Sequence, residues 1–95
     1  MSGVAVLDLT GCKSTWEIHR RSKHAFHFPD YYGYNWDAFL DSFRTVGVPD
    51  KIVIRGEKGL PEDLRGSIEH LHSILSYIQE EVKEFDTMLT IEYAD

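Results

Sequence analysis

The chain has 95 residues, 42% of them apolar and 27% charged, and its 16 acids against 10 bases leave a net charge of −6. Such a length holds one domain, 1–95, built on a modest core. The acidity argues against direct nucleic-acid binding, which needs a basic surface, and no apolar run approaches the ~20 residues of a membrane span.

The first residues lack the basic and long apolar regions of a signal peptide, so a cytoplasmic chain is expected. Residues 4–9, VAVLDL, form a short apolar run suited to a strand buried on both faces. Gly11 and Cys12 follow in a turn. Cys12 is the one cysteine; it has no internal disulfide partner, which suits a reducing cytosol, and it reads as an inert small side chain. Ser14 and Glu17 fit the capping box S-x-x-E, which predicts a helix from Ser14. Ile18, Ser22 and Phe26 lie along its stripe, with Trp16 near its start. The helix should end before Pro29, because proline drives the preceding Phe28 out of helical backbone. Residues 30–34, DYYGY, are then a loop, with Gly33 available for a positive φ.

Asn35 is the predicted N-cap of a second helix, in which Trp36, Phe39, Leu40 and Phe43 fall at i, i+3, i+4 and i+7. VGVPD, 46–50, breaks that pattern, and KIVIR, 51–55, reads as a second buried strand. A polar loop follows, with one helical turn started by Pro61. Ser67 is the predicted cap of a longer helix running to about Glu84, with Ile68, Leu71, Leu75, Ile78, Val82 and Phe85 at helical spacing. MLTIEY, 88–93, is the third strand. The order β-α-α-β-α-β predicts an α/β domain with parallel pairing and right-handed crossovers.

The segment PDYYGYNWDAFLDSF, 29–43, holds three tyrosines, a tryptophan, two phenylalanines and three aspartates. On a wheel of 100° per residue its apolar stripe centres on Trp36 and Phe43. Asp37, Asp41 and Arg44 then share one flank at the border of core and solvent, and Ala38 and Ser42 lie opposite. Like charges four apart destabilise an isolated helix by roughly 0.2–0.5 kcal/mol. Asp37 at least sits in the first turn, where the helix dipole favours a carboxylate. Two readings stay open. Asp37 serves the helix start and Asp41 pairs with Arg44 at i+3, or the helix and its loop present an acidic, aromatic-rimmed patch to a partner. A catalytic carboxylate pair needs a cleft that one helix does not supply. His24-x-x-His27 and His70-x-His72 lack a second pair with metal-ligand spacing, so the histidines read as surface residues and no metal or cofactor is expected. The sequence carries no phosphate-loop or nucleophile motif, and no enzyme is expected.

The same segment resembles the signature of the barstar family, P-[DE]-Y-Y-G-x-N-x-D-A-[aromatic or Leu]-x-D-x-[aromatic or Leu]. In weaker form the resemblance extends along nearly the whole chain, through WEIH at 16–19 and the last helix and strand. It implies a barstar-like three-layer α/β fold, with a three-stranded parallel sheet packed with helices. It also implies an intracellular inhibitor, monomeric when free. Its second helix and adjoining loop would plug the active site of a basic secreted ribonuclease in a one-to-one complex. The acids would stand in for RNA phosphates, which gives the repelling pair a use. By this resemblance Asp41 is the main anchor and Asp37 a second acidic contact. Tyr31 is the aromatic that packs on a catalytic histidine, Gly33 and Asn35 line the contact, and Glu81 is a peripheral acid. Trp36 stands where the family has a smaller aliphatic and would add apolar contact. Leu40 and Val46 replace tryptophans, and Arg44 adds a positive charge beside the two acids. These departures bear on partner choice and leave a second expectation, a barstar-fold interaction module with a non-nuclease partner.

Overall fold

In the first two strands every second residue is buried, the pattern of a sheet covered on one face. A computed structural model of the chain describes residues 3–95; the first two positions of the expected 1–95 domain lie outside the described residues. β1 (Val4–Asp8), β2 (Lys51–Arg55) and β3 (Thr90–Ala94) form one parallel sheet in the order β1-β2-β3. Ala5 pairs with Ile52 and Ile52 with Ile91, and Leu7 pairs with Ile54. Ala5, Leu7, Ile52 and Ile54 are buried, whereas Val4 and Val6 are exposed on the other face. The expected three helices and parallel three-stranded sheet are present, but two details are corrected. The strands are not buried on both faces, and the fold has two layers instead of three, because the helices cover one face of the sheet.

The three helices are α1 (Thr15–Phe26), α2 (Trp36–Val46) and α3 (Arg65–Lys83). Ser14 caps α1 by accepting from the Glu17 amide at 3.2 Å. The Glu17 carboxylate turns away to Arg21, 3.9 Å off, so the box is closed on one side only. The helix ends at His27, whose φ of 57° is left-handed, two residues before Pro29. A cluster of rings then joins α1 to α2: Phe26 lies 4.9 Å from Phe43, and Phe28 meets Phe39 and Phe43 edge-on at 5.3 and 5.1 Å. Edge-to-face contact is the favoured geometry for such pairs, and burying each ring contributes about 1.5–3 kcal/mol.

Three boundaries differ from expectation. The turn after Pro61 is a short 3-10 segment, Glu62–Leu64, which runs directly into α3 at Arg65. Ser67 therefore does not cap that helix; its hydroxyl meets that of Thr15 at 2.5 Å and ties α3 to α1. β3 starts at Thr90 instead of 88, because the Leu89 carbonyl is taken by the Gln79 side chain at 2.8 Å and the strand contact begins with the Thr90 amide on Asp50. Phe85 falls beyond the end of α3 and is exposed, so it leaves the apolar stripe that Leu71, Leu75 and Ile78 bury.

Gly56 ends β2 with a φ of +81°, and a Cβ there would come within 2.8 Å of the Thr10 Cα. Both the left-handed backbone and the close approach require glycine. Gly56→Ala is expected to destabilise the chain by about 1–3 kcal/mol in urea unfolding. A variant as stable as the parent would show that this turn is not tightly held.

Candidate partner-binding surface

The loop before α2 stands on a buried polar contact. His19, in α1, is 2% exposed, and its Nδ1 lies 2.6 Å from the Tyr32 hydroxyl. Around the imidazole are the rings of Trp36 at 4.3 Å, Tyr32 at 5.8 Å and Tyr34 at 6.5 Å. The reading of the histidines as surface residues is corrected here, because this one is core. His24, His27 and His70 are exposed and His72 is half-buried. Burial pulls the His19 imidazole below its ordinary range, helped by the His70 charge, and pushes the Tyr32 phenol well up.

The loop turns with Tyr34, whose φ is 53°, and not with Gly33. A Cβ on Gly33 would press on the Asn35 Nδ2 at 3.1 Å, so glycine serves close approach. Asn35 caps α2 as expected: its Oδ1 accepts from the Ala38 amide at 2.8 Å, while its Nδ2 donates to the Gly33 carbonyl at 3.1 Å. Trp36 is half-buried and stacks on His70 of α3 at 5.1 Å with 18° between planes. These anchors set the rotation of α2. Its buried residues are Phe39, Ser42 and Phe43. The buried direction therefore centres nearer Phe39 than the Trp36–Phe43 line, and Ser42, on the side opposite the aspartates, is buried.

That rotation turns Asp37, Asp41 and Arg44 outward, all three exposed, with Leu40 half-buried beside them. Tyr31, 78% exposed, stands on the adjoining loop. Neither the Asp37 nor the Asp41 carboxylate has a hydrogen bond or ion pair to a described residue. Arg44 does not pair with Asp41. It reaches across to α3 and binds Glu81, with Nη2–Oε2 at 2.9 Å and Nε–Oε1 at 3.5 Å. Its guanidinium holds the Glu81 carboxyl below the usual carboxylate range. Asp37, Asp41 and Arg44 thus share the outward side of α2 with Leu40, Tyr31 stands exposed on the loop before it, and Glu81 of α3 is clasped by Arg44. Gly33 and Asn35, both exposed, and half-buried Trp36 fix the loop and the start of α2 beside it.

Sequence reasoning gave His19 and Tyr32 no role, and took His70 for a surface residue without its stack on Trp36. The spacing of His19, Ser22 and Phe26, at i, i+3 and i+7, was a signal that His19 lies on the buried side of α1. Cys12 is buried and burial raises its thiol pKa, as an inert side chain requires. Among the described residues no three His, Cys, Asp or Glu side chains converge to hold a metal, and no helix is long and apolar enough to cross a membrane.

The family model described as Barstar (barnase inhibitor) matches residues 3–94. No curated protein matches the chain.

Tyr32→Phe strips the His19 Nδ1 of its partner in a dry site and is expected to cost about 1–3 kcal/mol of stability. Because the folded imidazole has its pKa lowered from 6.5, the unfolded chain binds more protons below that pH. The stabilising contribution of neutral His19 is present above the unfolded value and is lost as pH falls through the folded one. Thermal unfolding from pH 8 to 5 should therefore show falling stability that flattens in His19→Phe; equal slopes in the two proteins would remove His19 as the source.

Proposed function

The chain belongs to the barstar family, and on that premise we propose that it inhibits a basic, secreted-type ribonuclease by covering its active site with α2 and the preceding loop. The observation that carries this reading is the pair of exposed carboxylates, Asp37 and Asp41, that no described residue compensates. A ribonuclease site gathers cations to hold RNA phosphates, and two carboxylates four residues apart offer them the same charge. Repulsion within the free helix is relieved when guanidinium and ammonium groups arrive. Asp41 serves as anchor and Asp37 as the second acidic contact. Tyr31 and the exposed edge of Leu40 supply apolar cover, and the Asn35 cap and the Trp36–His70 stack set where α2 starts. The complex is one-to-one, formed in the cytoplasm from a free monomer, with no cofactor and no chemistry of its own.

The Arg44–Glu81 clasp favours a second reading. It withdraws one acid from the surface and places a cation beside the other two, so the partner's charge pattern need not be that of barnase. A barstar-fold interaction module with a non-nuclease partner would use the same face.

Titration into a panel of secreted ribonucleases, barnase included, is expected to give stoichiometric inhibition of at least one enzyme. Asp41→Ala should then weaken binding by about 1.5–3 kcal/mol, the worth of hydrogen bonds to a charged group, whereas Glu80→Ala stays within about 0.5 kcal/mol. Equal affinity of Asp41→Ala and parent would remove Asp41 as the anchor, and no inhibition across the panel would favour the second reading. Arg44→Ala unclasps Glu81 and makes the face more negative, so association with a basic enzyme should quicken by about twofold or more at low salt, with the gap closing as salt rises. Slower association in that variant would instead make Arg44 a direct contact.

A further inference from the structure

The outer face of α1 and its C-cap carry basic side chains in an acidic protein. Arg20, Lys23, His24 and His27 fall at i, i+3, i+4 and i+7, one turn beyond Trp16 and away from the buried Ile18, Ser22 and Phe26. With Phe28, Asp30 and Tyr34 they line a cleft of about 540 Å³ between α1 and the 29–34 loop, a volume inside the range of small-ligand sites, roughly 300–1,000 Å³. A cation in the last turn of a helix complements its dipole, which accounts for Lys23. It does not account for Arg20, one turn earlier, nor for the concavity that the loop closes.

We propose that this cleft binds a small phosphate monoester. Arg20, Lys23, His24 and His27 form no ion pair with a described carboxylate, so their donors are largely unspent. Lys23 gives one long hydrogen bond, 3.4 Å, to the Asp30 carbonyl. Aromatic rings steady both full cations, with the Arg20 guanidinium 5.9 Å from the Trp16 ring centre and the Lys23 ammonium 6.0 Å from that of Tyr34. A guanidinium and an ammonium with two imidazoles suit three phosphate oxygens and their double charge. The α1 dipole opposes an anion here, but within its last turn only, whereas Arg20 and Lys23 bring two full charges. Asp30 is the one carboxylate lining the cleft; it disfavours a second anionic group and can accept from a hydroxyl on the ligand body. The Tyr34 ring walls the side where that body would lie. The net charge of the chain disfavours a polyanion, so the ligand proposed is a small ester and not a nucleic acid.

The test follows amide and histidine-ring NMR signals of the full chain during titration with inorganic phosphate and with uridine monophosphate, each against sodium chloride of equal ionic strength. Saturable shifts confined to residues 16–34 are expected, with affinity at least about fivefold weaker, close to 1 kcal/mol, in Arg20→Gln/Lys23→Gln. Tighter binding of the nucleotide than of phosphate would mark an organic ester as the ligand, and equal binding would mark free phosphate. Shifts that never saturate, that chloride reproduces, or that persist unchanged in the double variant would overturn the site. Arg20→Gln alone, at an exposed position, repeats the comparison should the double variant lose its fold.

Discussion

The contact between the His19 imidazole and the Tyr32 hydroxyl, 2.6 Å long and closed off by rings, is the constraint on which the proposed partner-binding face depends. A polar pair in a dry site is costly in any arrangement but its own, so it selects one position of the loop over α1. Packing of Phe28 against Phe39 and Phe43 fixes the loop's other side. Between these two restraints the chain must turn sharply, and it does so with Tyr34 in left-handed backbone. Asn35 then caps α2, and the direction of every side chain on that helix follows.

Rigidity under the face is matched by electrical openness upon it. Several acids of this protein are compensated within the fold: Glu62 by Arg65, Glu80 by Lys83, Glu81 by Arg44 and Glu92 by Lys51. Asp37 and Asp41 are left without partners on the same helix. Like charges four apart on α2 run against local stability, and the proposed binding face would give them a use. Arg44 tempers the arrangement. By clasping Glu81 it joins α2 to α3 and sets how much negative charge the margin of the face shows to an approaching molecule.

Much of the fold was legible because its signals are local. The S-x-x-E cap, Asn35 before Trp36, and the apolar spacing from Leu71 to Ile78 act over one or two helical turns, and each appears where expected. The errors share a cause as well. An apolar run such as VAVLDL looks the same whether one face or two are covered, and only the layer count decides. Ser67 has the chemistry of a cap, but its hydroxyl found Thr15, 52 residues away in sequence. No local pattern carries such a contact.

The sequence by itself determined the order of elements, the family, and the acidic and aromatic residues that crowd residues 29–43. Those follow from residue type and short-range spacing. Only the tertiary structure decided which of them meet. It turned α2 so that Ser42 faces inward and both aspartates face out, sent Arg44 to Glu81 instead of Asp41, and buried a histidine whose polarity alone would have placed it in solvent. The reason is that rotation and pairing are set by what packs behind a helix, and that surface is assembled from segments far apart in the chain.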